Sequence, residues 1–288
     1  MIAVKLEGRL GNQLFQYAFI YAAAKKLQTN FYLDKSVDYL LLNKYFNIED
    51  DFCNGLDSHI FSIKGYKNIF SHYARWLFYY LLKNLLFLRN EMFSNYESPA
   101  SQLHKIRNNC LYTGYFQSEE YFLSYKDDIK RLFTIQNIYT KKFETIFLSL
   151  PKNLKYIIVH VRRGDYIAER VALNTDYYHK AINSIHHEDN YYVFISDDIA
   201  FVKTEFGYLD NKYISENDEI TDFQFLINAD ICILSNSSFS WWGAWLNNKT
   251  EKKVIAPEFW LGQNTAHEYP KGVFMKEWTL INAESYAG

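Results

Sequence analysis

The sequence predicts an α/β protein of two Rossmann-like domains, and three observations carry that expectation. Short apolar runs recur at Ile2–Leu6, Tyr156–Val161, Tyr191–Ile195, Ile231–Leu234 and Val254–Ala256. They lack clean polar alternation, as strands do when both faces of a parallel sheet are covered. Segments of helical character stand between them, at Leu14–Leu27, Tyr177–Ile185, Ile199–Phe206 and Asp222–Asn228, and strands alternating with helices build such sheets. Finally, 288 residues are long for one core and comfortable for two.

Taken in order, Ile2–Leu6 opens the first domain and feeds the Leu14–Leu27 helix. From about Asp34 to Lys141 the chain is less regular and rich in aromatic and basic residues. Pro151-Lys152-Asn153 then stands before a fresh strand, which sets the expected boundary: residues 1–151 form the first domain and 152–288 the second. The last stretch, Trp260 to Gly288, is left either with the second domain or packed back on the first.

Composition excludes some classes of function. A net charge of −2 argues against general nucleic-acid binding, which rests on a basic surface that displaces counterions. Aromatic residues make up 19% of the chain; much of that must be core, and the rest suits the apolar faces of sugar rings. Cys53, Cys110 and Cys232 contain no C-x-x-C pair, and Met1 to Leu6 carry no signal-peptide pattern. Both features predict a cytoplasmic protein. Trp76–Leu88, flanked by Arg75 and Arg89 and interrupted by Lys83, is too short for a membrane span of about 20 residues. It reads as a buried core helix or, alternatively, as a peripheral contact with the inner face of the membrane.

Chemistry collects where the strands end, which is where open α/β sheets bind ligands. His160-Val161-Arg162-Arg163-Gly164-Asp165 follows one strand, and paired arginines there suit a phosphate or diphosphate. If the chain stays extended, His160 and Arg162 face one way and Arg163 and Asp165 the other. That makes His160 and Arg162 the ligand-facing pair and Arg163 partly structural. Ser196-Asp197-Asp198 ends the next strand; these residues either hydrogen-bond a nucleoside or cap a helix, and an acidic metal site is a third reading that Arg162 makes less necessary. Ser235-Asn236-Ser237-Ser238-Phe239-Ser240 precedes Trp241-Trp242-Gly243, and hydroxyls with free N–H groups at a helix start make an anion site or a plain cap. Near the start, Gly8-Arg9-Leu10-Gly11-Asn12-Gln13 lacks the G-x-G-x-x-G fingerprint. Its amides can orient a hydroxylated ligand without charge, or simply cap the helix. Together these strand ends point to a cleft between the two halves.

The turn Gly8–Gln13 with its continuation to Ala18, the His160–Tyr166 block and the Ser235–Leu246 stretch together resemble the bacterial alpha-1,2-fucosyltransferases of glycosyltransferase family 11. Gly114-Tyr115-Phe116-Gln117-Ser118 is similar to a further stretch of that family. The resemblance runs from Arg9 to about Trp260. It implies a GT-B-like fold, two Rossmann-like domains facing across a cleft, with GDP-L-fucose held chiefly by the second. It implies Arg162 and Ser237–Ser240 on the diphosphate, and Asp197 or Asp198 near the nucleoside. Asn12 would then reach the fucose or the attacking hydroxyl, with Arg9, Gly11, Gln13, Phe116 and Gln117 lining the acceptor side. The glutamate base of the alpha-1,6 enzymes does not carry over, because Arg170 stands at the matching spacing with Glu169 beside it.

The expected activity is therefore inverting transfer of L-fucose from GDP-L-fucose to the 2-hydroxyl of a terminal galactoside, with no metal and no other cofactor. Asn12, Arg162 and Asp165 carry the reaction, Asp165 as general base and Glu169 second. His160, Arg163, Ser196, Asp197, Asp198, Asn236, Ser237, Ser238, Phe239 and Ser240 surround the donor. The alternatives are fucosylation of another acceptor or linkage, and a non-catalytic carbohydrate-binding protein.

Overall fold

The computed structural model describes residues 1–34, 41–48, 77, 80 and 89–284. They form two compact units, Met1–Thr134 and Ile135–Gly288. In the first, β1 (Ile2–Lys5), β2 (Phe31–Asp34), β3 (Arg89–Met92) and β4 (Cys110–Thr113) form a parallel sheet in the order β2-β1-β4-β3. The register Val4↔Tyr112 sets the turns after β1 and β4 side by side. Helix α1 (Leu10–Leu27) is buried along nearly its whole length, Gln13 and Gln16 included. Gln28 closes it in the left-handed conformation, and Lys25 and Lys26 in its last turn complement the helix dipole. Phe19 of α1 anchors an aromatic cluster with Phe93, Tyr112, Phe116 and Tyr121.

The second unit holds the longer sheet. β5 (Lys155–Val161), β6 (Asn190–Ser196), β7 (Lys212–Ile214), β8 (Ile231–Ile233), β9 (Lys253–Pro257) and β10 (Thr279–Ile281) run parallel in the order β10-β9-β8-β5-β6-β7. The core takes in Ile157, Val159 and Val161 of β5 and Tyr177, Tyr178 and Ala181 of the helix Thr175–Ser184. This unit begins ahead of Pro151, because the helix Asn137–Ser149 packs into it: Phe143 and Phe147 lie 5.0 and 6.3 Å from Phe225, ring centre to ring centre. At the other end of the chain, β10 pairs with β9, and Glu284 accepts the N–H of Asn174.

The tryptophan-rich motif is largely packing. Trp241 and Trp242, on the helix Ser238–Leu246, are fully buried, and the Trp241 indole donates to the Val273 carbonyl at 2.7 Å. A Cβ at Gly243 would overlap Leu226, so this glycine sets how closely the helix approaches its neighbour Glu219–Ile227. Cys110 and Cys232 are buried and free, whereas Cys53 lies outside the described residues. So does Trp76–Leu88, apart from Leu77 and Tyr80, both exposed.

Candidate functional site

In the second unit the strand register assembles the arginine site. Val161 lies opposite Ser196, so the residues that follow, Arg162–Arg163 and Asp197–Asp198, emerge side by side. Asp197 uses both oxygens on this neighbour: Oδ2 lies 2.7 Å from Arg162 Nη1, and Oδ1 accepts the backbone N–H of Arg163 at 2.9 Å. A Cβ on Gly164 would run into the Asp197 carboxylate, so glycine there gives the acid its seat. Arg162 is also ion-paired with Asp165 and lies over the Tyr166 ring, 5.3 Å from its centre. Its guanidinium is fixed before any ligand arrives.

Arg163 goes elsewhere. Its guanidinium sits 3.6 Å from the centre of the Phe201 ring and meets Asp198 Oδ2 at 3.3 Å, and the residue is buried. The other Asp198 oxygen accepts the N–H of Phe201, capping the helix Ile199–Glu205, while Ser196 Oγ accepts the N–H of Asp198. The two arginines thus take different partners, Arg162 with Asp197 and Asp165 and Arg163 with Asp198 and Phe201. The alternation does not reach Asp165, however: the chain leaves the strand at Val161 and turns into the helix Gly164–Ala168, which swings Asp165 back onto Arg162.

The serine turn follows β8, which pairs directly with β5. Much of its polarity serves the turn itself. The Ser240 hydroxyl donates to the carbonyls of Ser235 and Ser237 at 3.2 and 3.1 Å, and the Asn236 amide donates to Val171 and Trp260 at 2.8 and 3.4 Å. Ser237 is the N-cap residue of the helix Ser238–Leu246, without a side-chain cap bond. The first N–H groups of this helix, at the start of which Ser237 and Ser238 stand, are groups a phosphate could use. Tyr166 links the two halves of the site: its ring lies beneath Arg162 and its hydroxyl donates to the Asn236 carbonyl at 3.4 Å.

His160 is buried 5.5 Å from the Phe239 ring, and its Nδ1 has no hydrogen-bond partner in the protein. Burial, reinforced by the charge on Arg162, pulls its pKa down to about 3, so the imidazole is neutral at physiological pH. A carboxyl that the motifs did not single out, Asp222, is also buried and accepts the Ser215 hydroxyl; burial pushes its pKa up to about 7. The sequence places it in a helical segment, and an acid with no basic neighbour in the pattern gives no sign of its environment. An open groove of about 520 Å³ runs along the carboxyl ends of β6 and β7, lined by Ser196, Ile199, Lys203, Ser215 and Asn217 among others. Among the described residues, no group of three or more His, Cys, Asp or Glu side chains could hold a metal ion.

In the first unit the adjacent turns after β1 and β4 bring Asn12 and Gln117 together, Gln117 Nε2 donating to Asn12 Oδ1 at 2.9 Å. Gly8, at φ +74, leaves room that the Asn12 amide fills, since a Cβ there would overlap Asn12 Nδ2. Gln13 is spent on structure, donating to the Gly8 carbonyl at 3.1 Å and accepting the Leu41 N–H at 2.9 Å. Phe116 is core, stacked on Phe19 at 3.8 Å. Gly11 is buried inside α1, and Arg9 is exposed at the helix start.

Comparison with known proteins agrees with this architecture. The chain is 30% identical over 292 residues to the O-antigen biosynthesis glycosyltransferase WbnK of Escherichia coli, covering 90% of this chain and 94% of that one. It is 28% identical over 283 residues to an alpha-1,2-colitosyltransferase of Escherichia coli, with 93% and 95% covered. The galactoside alpha-(1,2)-fucosyltransferase 1 of Rattus norvegicus matches at 24% over 300 residues, with 96% and 72% covered. Among solved structures, the alpha-1,6-fucosyltransferase NodZ soaked with GDP-fucose superposes with a TM-score of 0.52 at 13% identity, over 85% of this chain and 92% of that one. The two parallel-sheet units are thus the α/β arrangement of the GT-B fucosyltransferases. Among the described residues, no helix is long and apolar enough to cross a membrane. Residues 1–282 match the model of glycosyl transferase family 11, and the chain belongs to that family.

Proposed function

We propose that this glycosyltransferase is an inverting alpha-1,2-fucosyltransferase, moving L-fucose from GDP-L-fucose to the 2-hydroxyl of a terminal galactoside. The observation that carries the proposal is the Arg162 guanidinium, held by Asp197 and Asp165 beside the serine turn. Inversion sends the diphosphate away opposite the attacking hydroxyl. Its charge then grows where fixed donors already stand, which lowers the barrier because nothing need reorganise. Neutral His160, with its unpartnered Nδ1, offers the donor an uncharged hydrogen bond. Asp165 is the proposed base and Glu169 the second candidate. The Asp165 carboxylate is engaged with Arg162, so the reaction leans on leaving-group stabilisation. No metal is required in this scheme, and no other cofactor.

The relative named for colitose transfer favours a second reading, in which the sugar moved is colitose and the fold and linkage are unchanged. One assay separates the two: GDP-fucose and GDP-colitose are offered in parallel with a panel of galactosides, lipid-linked ones included, and the linkage of each product is determined. Transfer of fucose to O2 of galactose supports the proposal. Exclusive use of GDP-colitose, or another linkage, replaces it. A titration with GDP disposes of the last alternative, since a non-catalytic sugar binder has no affinity for the nucleotide.

A further inference from the structure

We infer that Gln117 is a sugar-reading residue: its amide oxygen accepts a hydrogen bond from a hydroxyl of the transferred sugar or of the acceptor, while its amide nitrogen holds Asn12. The inference rests on the transferase reading above and adds a group that touches substrate. Gln117 is more than nine-tenths buried, and its Nε2 donates to Asn12 Oδ1, yet its Oε1 is buried with no hydrogen-bond partner in the protein. Buried amide oxygens are nearly always paired, so an orphan marks a place where something else supplies the donor.

Slack in the turn does not explain it. Gly114 adopts φ +151, where a Cβ would collide with the Phe93 carbonyl, and Phe116 sits at φ +50, a conformation few side chains adopt. Both are locked. The Phe116 ring lies flat on Phe19 and edge-on to Tyr121, and Gln16 of α1 donates to the Gly114 carbonyl at 3.1 Å. Strained backbone that its surroundings over-determine is typical of ligand sites. Here it holds the Gln117 amide against Asn12.

The chemistry of the orphan names the ligand. A carbonyl oxygen accepts and cannot donate, so it repels phosphate and carboxylate and welcomes a hydroxyl. The site therefore reads a neutral sugar ring, in contrast to the arginine turn of the second unit.

The test is a cycle of enzyme and substrate, using wild type and Gln117→Leu against the parent sugars and their monodeoxy analogues. Removing the hydroxyl that Gln117 accepts should cost wild type about tenfold in kcat/KM, the worth of one hydrogen bond. The same analogue should cost Gln117→Leu nothing, and GDP affinity should be equal in both proteins. Equal losses in the two enzymes for every analogue would overturn the inference. Should Gln117→Leu fail to fold, Gln117→Glu keeps the acceptor oxygen and must still discriminate against that analogue. Should wild type transfer no sugar from GDP-fucose or GDP-colitose, the functional reading fails by itself. The cycle is then run on binding of methyl glycosides by saturation-transfer NMR, where selective loss of one hydroxyl's contribution in Gln117→Leu sustains the inference and its absence ends it.

Discussion

The turn after β1 and the turn after β5 use one device for opposite chemistry. In each, a glycine leaves out the Cβ that would collide with a polar side chain: Gly8 makes room for the Asn12 amide and Gly164 for the Asp197 carboxylate. In each, that side chain is then fixed by a residue from the end of the adjacent parallel strand or just beyond it. Asn12 meets Gln117 after β4, and Asp197 after β6 meets Arg162. The first pair is neutral and the second charged. Parallel sheets bring strand ends together whatever the residues are; the side chains placed there decide whether the site reads hydroxyls or stabilises an anion.

That contrast breaks most easily at Arg162. In the proposed reaction, Arg162→Ala should lower turnover by about 10²–10³, the cost of losing a fixed donor to developing charge, while the fold survives. Arg163→Ala should do the reverse. It removes a buried cation from Phe201 and Asp198 and should cost stability on the order of 2–4 kcal/mol, with a smaller loss of turnover. Steady-state kinetics with melting curves on both variants decide between them, and the opposite ranking would exchange the two roles.

On the neutral side, Asn12→Ala should reduce turnover by about 10² while GDP affinity, measured by calorimetry, stays where it was. Asn12→Asp should fare no better. It keeps the acceptor oxygen that Gln117 uses but loses the amide donor and brings in charge. Near-full activity in Asn12→Ala would reduce Asn12 to a turn residue and confine the chemistry to the arginine site.

The charged site was far more legible in the sequence than the way it is held. β5, β6 and β8 are buried apolar runs, so their ends, and the polar residues following them, stand out. β2, β3, β4, β7 and β10 did not announce themselves: each is short, Arg89–Met92 is also polar and largely exposed, and Lys212–Ile214 is half-buried. Asp197 was legible as an acid after a strand, but its hold on Arg162 depends on the Val161↔Ser196 register, which no local pattern encodes. The Asn236 and Ser240 side chains looked like ligand groups and are largely committed to closing their own turn. The pairing of Asn12 with Gln117 spans 105 residues and follows only from β1 lying beside β4.

The shared device can be tested at its glycines. Gly164→Ala should push Asp197 off Arg162 and cost about tenfold in turnover, less than deleting the arginine because Asp165 still holds it. Gly8→Ala should displace the Asn12 amide and also strain a positive φ, at about 1 kcal/mol of stability. If either alanine is silent in turnover, the polar residue seated on that glycine is not held by it.

A smaller effect separates the buried titratable groups of the second unit. Burial raises Asp222 from 3.8 to about 7, so the stability of its neutral form is complete below 3.8 and lost as pH rises through about 7. His160 runs the other way. Burial lowers it from 6.5 to about 3, so its contribution is complete above 6.5 and lost as pH falls toward 3. Asp222→Asn keeps an acceptor for Ser215 and removes only the first dependence. Its melting temperature should exceed that of wild type at pH 8 by several degrees and match it near pH 4.

The smallest expected effect is none at all, and it bears on the charged half of the comparison. Excess EDTA should leave turnover unchanged. A divalent cation at the diphosphate would look for carboxylates, and the nearest pair in sequence, Asp197 and Asp198, is already engaged. One is bound to Arg162 and to the backbone of Arg163, the other to the Arg163 side chain and the N–H of Phe201. A cation there would have to displace two guanidinium groups and two backbone hydrogen bonds before meeting any phosphate. In the proposed reaction arginine and helix N–H groups supply the positive charge instead. Loss of activity in EDTA with recovery on adding manganese would mean that these carboxylates let go of their arginines during turnover. The charged turn would then be a metal site held closed by ion pairs, and its likeness to the neutral turn would end at the glycine.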